Sequence, residues 1–216
     1  MSRCELDHII VGASSLEQGV AFIRDRLGVD IPKGGKHPLM STHNRLMRLG
    51  ETSFLEVISI DPDAPPPGRA RWFELDEPAM QARLAEGPRL VSWVIRSADI
   101  AGTVGGASFP VGAVTRLGRD ALSWQLTVPD DGRIPGEGVM PHVIQWDDGL
   151  RPWERMADLG CRLEGLVIAH PAPEAAAAHL ASLSHGGIAG VHVEQGPAPA
   201  LSARIVTPAG TVVLVH

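Results

Sequence analysis

Tyrosine is missing altogether from the 216 residues, phenylalanine occurs only 4 times and cysteine only 2 times. Cys4 and Cys161 are too few for a disulfide framework and their spacing fits no zinc pair, so the expected compartment is a reducing cytoplasm. Basic charge is also in short supply, since 19 Lys plus Arg stand against 25 Asp plus Glu for a formal net charge of −6. Phosphate backbones are gripped by clustered Lys and Arg that the sequence does not show, which argues against nucleic acid as a partner. No run of about 18 uncharged apolar residues occurs, and the first residues carry neither an apolar stretch nor a small-residue cleavage pattern. Neither a membrane span nor an export signal is expected.

What the chain has in excess is turn formers, 24 Gly and 18 Pro. That is roughly a fifth of the chain against an average of about an eighth. With 44% hydrophobic and 20% charged residues, this composition belongs to a globular protein of many short elements. The 5 Trp carry most of the aromatic surface.

The stretch Leu6 to Gly12 is an apolar run closed by glycine and predicts a buried strand. Ser14 or Ser15 can cap a following helix. Leu16, Val20, Ile23 and Leu27 keep helical spacing, and Gly28 stands at the C-cap. Ile31 to Pro38 is a Gly and Pro linker, after which Asn44–Leu49 and Thr52–Ile60 alternate as a hairpin. The proline-rich segment Asp61 to Gly68 cannot continue a sheet, because its prolines lack ladder donors. Trp72 to Glu86 predicts a helix or two that connect the halves.

The same order then recurs. Leu90–Ile95 predicts a strand, Asp99 onward a short helix weakened by glycines, and Val111–Leu117, Ala121–Val128 and His142–Trp146 three more strands. Leu163–Ala169, the Ala-rich Pro173–Ser184, Gly190–Glu194, Ala200–Thr207 and Thr211–Val215 repeat the pattern once more. Val11–Leu16 aligns with Ile95–Ile100 without a gap. The expected fold is α+β, built from three strand-helix-three-strand units about 75 to 80 residues apart.

A tandem βαβββ unit opening on Leu6-Asp7-His8-Ile9-Ile10-Val11 resembles the vicinal oxygen chelate superfamily of glyoxalases, extradiol dioxygenases and epimerases. The block Gly34-Gly35-Lys36-His37-Pro38 through Thr42-His43-Asn44, with Phe54-Leu55-Glu56-Val57-Ile58, is similar to its bacterial glyoxalase-like branch. The segment His142 to Asp148 resembles the later tryptophan-containing strand of that branch. The resemblance implies two modules, about 1–68 and 88–150, whose curled mixed sheets form a cup within a 1–150 domain. A third C-terminal module, 151–216, packs on them.

In metal-using members a divalent ion sits on residues of the first and fourth strand of each module. Carried over, the first-module pair is His8 and Glu56, and an imidazole and a carboxylate on neighbouring strands suit Lewis-acid chemistry. The second module departs, with Ser92 at the first-strand position. On its last strand either His142 or Gln145 faces the cup, since the two lie on opposite faces of a regular strand. The expected metal set is His8, Glu56 and His142, for Zn, Mn, Fe or Ni. The resemblance makes Glu56 or His43 the group that moves a proton. His37, Asn44, Trp93 and Gln145 are expected to bind substrate, Trp93 as an aromatic wall. Bland readings stand beside these: a lone strand histidine often bonds backbone, and strand tryptophans often pack a core.

The expected function is a small-molecule lyase, isomerase or dioxygenase acting on a substrate with adjacent oxygens. The alternative is a non-catalytic binder that sequesters an apolar compound in the same cup. A small molecule is the expected partner, and a homodimer through the last module is left open.

Overall fold

A computed structural model describes residues 3–119, 121–147 and 151–216. Asp148, the end of the tryptophan-containing segment, and the boundary near 150 lie outside the described residues. The first module is β1 (Glu5–Gly12), α1 (Leu16–Leu27), β2 (Lys33–His37), β3 (Thr42–Arg48) and β4 (Phe54–Ile60). After α2 (Pro78–Glu86) comes the second: β5 (Arg89–Arg96), α3 (Ile100–Gly106), β6 (Ala113–Arg119), β7 (Leu122–Val128), the single turn α4 (Pro135–Gly138) and β8 (His142–Trp146). The third is β9 (Arg162–His170), α5 (Pro173–Leu183), β10 (Val191–Gln195), β11 (Ala200–Thr207) and β12 (Gly210–Val215).

Local chemistry sets the first unit. The Ser15 hydroxyl accepts the Gln18 N–H at 3.2 Å to start α1, and Gly28, at φ 71°, ends it in the left-handed region. Leu16, Ile23 and Leu27 fill the buried stripe. Gly19 lets the helix sit close on β4, because a Cβ there would come within 2.4 Å of the Val57 side chain.

Modules one and two share a single eight-stranded sheet in the order β2-β3-β4-β1-β5-β8-β7-β6. In each half the first strand runs parallel to the fourth, and the halves meet where β1 pairs antiparallel with β5. The sheet curls until its edges β2 and β6 approach, which makes a nearly closed cup. The register carries a two-fold relation. Ile10 is flanked by Glu56 on one side and Ser92 on the other, while Val94 is flanked by His142 and His8. The relation therefore equates His8 with Ser92 and Glu56 with His142.

The alternation of β1 then fixes two cores. Ile9 and Val11 point to the convex side, where they pack with α1 and the third module. His8 and Ile10 point into the cup. The third module keeps the chain order of the others but arranges its sheet as β10-β9-β11-β12, with β9 parallel to β10. A helix between two adjacent parallel strands is the ordinary crossover, and it leaves β11 and β12 to complete the sheet as a hairpin. Its Leu166, Ile168, Leu201 and Ile205 share a core with Leu90, Trp93 and Ile95 of the large sheet.

Two segments differ from expectation. The Gly and Pro linker at 31–38 contains β2, an edge strand with a register shift between Lys33 and Lys36. Trp72 and Phe73 are not helical. Phe73 and Glu74 have φ 58° and 59°, and the segment turns into the cup, where Trp72, Phe73 and Leu75 are buried with Ile10 and Val94. Helix α2 begins only at Pro78.

Candidate functional site

Three buried groups stand in a line on the first-module side of the cup. His8 donates from Nδ1 to Asp7 Oδ1 at 2.7 Å, and its Nε2 faces Glu56 Oε2 at 3.6 Å. Neighbours on a regular strand face opposite sides, so Asp7 reaches its neighbour's ring only because the β1–β5 ladder shifts register between Leu6 and His8. The Phe54 ring stacks on His8 with centroids 4.4 Å apart. Behind the line, the Trp146 indole donates to Asp7 Oδ2 at 2.9 Å, and Arg96 stands 4.0 Å from the same oxygen.

Burial disfavours charge on both His8 and Glu56, but their mutual contact prevails. The His8 imidazole is pulled down by desolvation, then raised to about 9 by Asp7 and Glu56. Burial pushes the Glu56 carboxyl up, and the His8 hydrogen bond, His37 and Asn44 bring it down to about 2. Shifted in these directions, His8 is held in its cationic form and Glu56 in its anionic form near neutrality.

Asn44 on β3 orders the opposite wall. Its amide donates to Glu56 Oε1 at 2.6 Å, and its oxygen accepts from the Gly35 N–H at 2.9 Å and from Arg119 at 3.1 Å. His37 lies beside it, 3.4 Å from the Asn44 amide and 3.1 Å from Thr42 Oγ1. Burial holds its pKa down at about 4, so the neutral ring donates to Thr42 and accepts from Asn44. Trp72, Trp124 and Trp146 wall the remaining space, a cavity of about 40 Å³. That admits one or a few waters rather than a whole substrate.

Of the residues singled out from sequence, the structure brings together His8, Glu56, Asn44 and His37. His43 lies on the other face of β3 from Asn44, away from the cavity, with Glu17 of α1 as an electrostatic neighbour. Trp93 points to the convex core and donates to the Val139 carbonyl at 2.8 Å. On β8 the alternation turns Ile144 and Trp146 into the cup, and His142 with them. Gln145 turns outward and accepts the Ile100 N–H at 2.7 Å. Sequence reasoning missed Asp7, Arg119 and the Trp72–Phe73 insertion. Only Asp7 left a signal, its place beside His8.

A divalent ion at these positions can be tested against the side chains present. His142 donates from Nδ1 to the Thr127 carbonyl at 2.9 Å, and its Nε2 has no partner among the described residues, which is how a metal-binding histidine is set. The rest does not follow. Phe73 packs edge-on against the His142 ring with centroids 5.1 Å apart, Ser92 offers only a hydroxyl, and both nitrogens of His8 face carboxylates. Among the described residues no three His, Cys, Asp or Glu side chains converge to hold an ion. As arranged, the set does not fit a metal.

A family model described as a glyoxalase-like domain matches residues 6–184. Among solved structures, a hypothetical protein from Staphylococcus aureus is 14% identical with a TM-score of 0.63, covering 91% of this chain and 87% of that one. The methylmalonyl-CoA epimerase of Mycobacterium tuberculosis is 16% identical over 68% of this chain and 89% of that one, with a TM-score of 0.40. The Streptomyces coelicolor epimerase, solved with 2-nitronate-propionyl-CoA, is 17% identical over 67% and 98%, with a TM-score of 0.42. No curated protein matches the chain.

Proposed function

Starting from the fact that the chain belongs to the glyoxalase-like domain family, within the vicinal oxygen chelate superfamily, we propose that it is a small-molecule enzyme that moves a proton on a carbon beside a carbonyl. The observation that carries this reading is the buried line Asp7–His8–Glu56 at the edge of a tryptophan-walled cavity. A substrate with adjacent oxygens presents both an acidic C–H and a carbonyl oxygen. Glu56 takes the proton from carbon, and the His8 imidazolium, held by Asp7, hydrogen-bonds the oxygen on which negative charge develops. Returning the proton from Glu56 to the face it left gives exchange, and delivering it to the neighbouring carbon of an enediol gives isomerisation. In this role the fixed cation of His8 polarises the carbonyl, the task a metal performs elsewhere.

Desolvation makes the arrangement effective. Water is scarce in the cavity, so a carboxylate freed from His8 by an entering carbonyl loses the contact that lowers its pKa and becomes a stronger base. Asn44 keeps Glu56 Oε1 in place while Oε2 acts.

The test is deuterium exchange at the α-carbon of a panel of α-hydroxy and α-keto carbonyl compounds, read by NMR in D₂O. Wild type should catalyse exchange for at least one compound, Glu56→Gln should lose it by about 10²- to 10⁴-fold, and dialysis against chelator should leave it unchanged. Equal exchange in wild type and Glu56→Gln across the panel overturns the reading in favour of a non-catalytic binder. Loss on chelation overturns the part assigned to His8.

A further inference from the structure

Outside the cup lies a second cavity of about 330 Å³, which shares Leu46, Arg119, Leu122 and Pro152 with the inner one. Among the described residues its charged lining is of one sign. Lys33, Arg119, Arg151 and Arg155 surround it, and no Asp or Glu among the described residues lines it. In a chain of net charge −6, several guanidiniums are closely paired: Arg24, Arg71, Arg96, Arg116 and Arg162 each stand within 2.6 Å of a carboxylate. Among the described residues, none of the four cations at the mouth has such a partner. Arg151 instead donates to the Asp147 carbonyl at 2.6 Å, and Arg119 to the Asn44 side chain at 3.1 Å.

Cations gathered around a concave site repel one another and focus a positive potential there, an arrangement that suits an anionic ligand. Arginine forks recognise the oxygens of carboxylate and phosphate, and a half-buried guanidinium holds them more tightly than an exposed one does. Arg119 lines both cavities, so it also joins this potential to the chemistry. Its bond to Asn44 is followed by the Asn44 bond to Glu56, and one side chain thus separates mouth from base.

We propose that the mouth binds an oxyanion, so that the substrate is an anionic molecule carrying a carboxylate or phosphate group on the end away from the reacting carbon. The second half of this statement rests on the proposed function, because it takes Glu56 to be the reacting end. The anion sits among Lys33, Arg119, Arg151 and Arg155, and the carbonyl end passes Leu46 and Leu122 into the inner cavity. The inner space is small, so the outer contacts supply much of the binding that holds the reacting end in place.

The experiment titrates the full-length protein with inorganic phosphate and with glutarate, following tryptophan fluorescence, since Trp124 and Trp146 line the neighbouring cavity. Wild type should bind at least one anion saturably, more weakly as salt rises. The double variant Lys33→Gln/Arg155→Gln should weaken that binding roughly tenfold or more. Arg204→Gln, which removes an equally exposed charge from the far side of the third module, should leave it unchanged. Binding of phosphate alone assigns a phosphate ester, of glutarate alone a carboxylate, and of both the shared oxyanion chemistry. Saturable binding of neither anion, or the same affinity in the double variant as in wild type, overturns the inference. Glu56→Gln separates the two proposals. It should bind the anions like wild type, and its loss of exchange speaks only to the base.

Discussion

In the first half of the cup the two-fold-related positions hold His8 and Glu56, and in the second they hold Ser92 and His142. The first pair is an ion pair beside a cavity, with His8 Nε2 3.6 Å from Glu56 Oε2. The second pair is neutral, with Phe73 packed against His142 and with the Ser92 hydroxyl and His142 Nε2 lacking partners among the described residues. The backbone pairing is the same on both sides, so the sheet does not cause the difference. The connection between the halves adds to it, since Phe73 packs edge-on against His142 while Trp72 stands beside His37 and walls the cavity of the first half. On the proposed reading, a duplicated fold confines its chemistry to one copy by replacing the ionisable pair of the other with neutral groups packed under an aromatic ring.

The largest effect should come from breaking the His8–Glu56 half. Glu56→Gln keeps the shape of the side chain and its bond to Asn44 and removes the base, so α-proton exchange should fall by about 10²- to 10⁴-fold while near-UV circular dichroism stays native. The counterpart change, His142→Gln, should leave exchange within a few-fold of wild type. An equal loss in both variants would show that the two halves act as one site and overturn the comparison.

Removing what fills the silent half comes next. Phe73 is buried at 2% exposure between Trp72 and His142. Phe73→Ala should cost about 3–5 kcal/mol in denaturant unfolding, from lost burial and the cavity left behind. The left-handed backbone at Phe73 adds strain that alanine does not relieve. A cost below about 1 kcal/mol would mean that the segment packs more loosely than its burial indicates.

The acid and alkaline limbs of stability should set His8 apart from the other buried groups of the cup. His142 and His37 have pKa values pushed down to about 4 by burial. Each binds a proton in the unfolded chain before the folded one, so stability falls as pH drops from about 6.5 toward 4, and Glu56 extends the loss toward pH 2. His8 acts in the opposite sense. Its folded value of about 9 lies above the unfolded one, so its contribution of a few kcal/mol is complete below about pH 6.5 and is lost as pH rises through 9. Chemical unfolding across pH should give a maximum near neutrality. Asp7→Asn should move the alkaline limb to lower pH, and His142→Gln should flatten only the acid limb.

Much of this arrangement was legible in the sequence, and what was not has definite causes. The apolar run of β1 and the gapless match to β5 follow from periodicity, because one buried face fixes register, whereas the pairing of His8 with Glu56 was carried by the family resemblance alone. The choice between His142 and Gln145 needed the ladder itself. Asp7 was hidden by a bulge, which no period of two can reveal. Gly34 and Gly35 read as a linker, yet Gly35 lies in an edge strand where a Cβ would come within 2.6 Å of Arg119. Trp72 and Phe73 carry helical spacing, and packing into the cup overrides it. The mouth was invisible for a different reason: its cations come from β2, β6 and the segment after β8, and only the closing of the sheet brings them together.

The smallest effect tests the equivalence of His8 and Ser92 most directly. Ser92 is fully buried at 0% exposure, and its hydroxyl finds no protein partner among the described residues. A buried hydroxyl without a hydrogen bond costs about 1–3 kcal/mol relative to water, and removing one oxygen leaves little empty volume. Ser92→Ala should therefore be neutral or stabilising by up to about 1 kcal/mol in denaturant unfolding. His8→Ala, at the matching place, should destabilise, because Asp7 and Glu56 would then face each other across the cup with no cation between them. If Ser92→Ala instead destabilised by more than about 1 kcal/mol, its hydroxyl would be satisfied in solution, and the second half would hold a polar site of its own rather than a filled one.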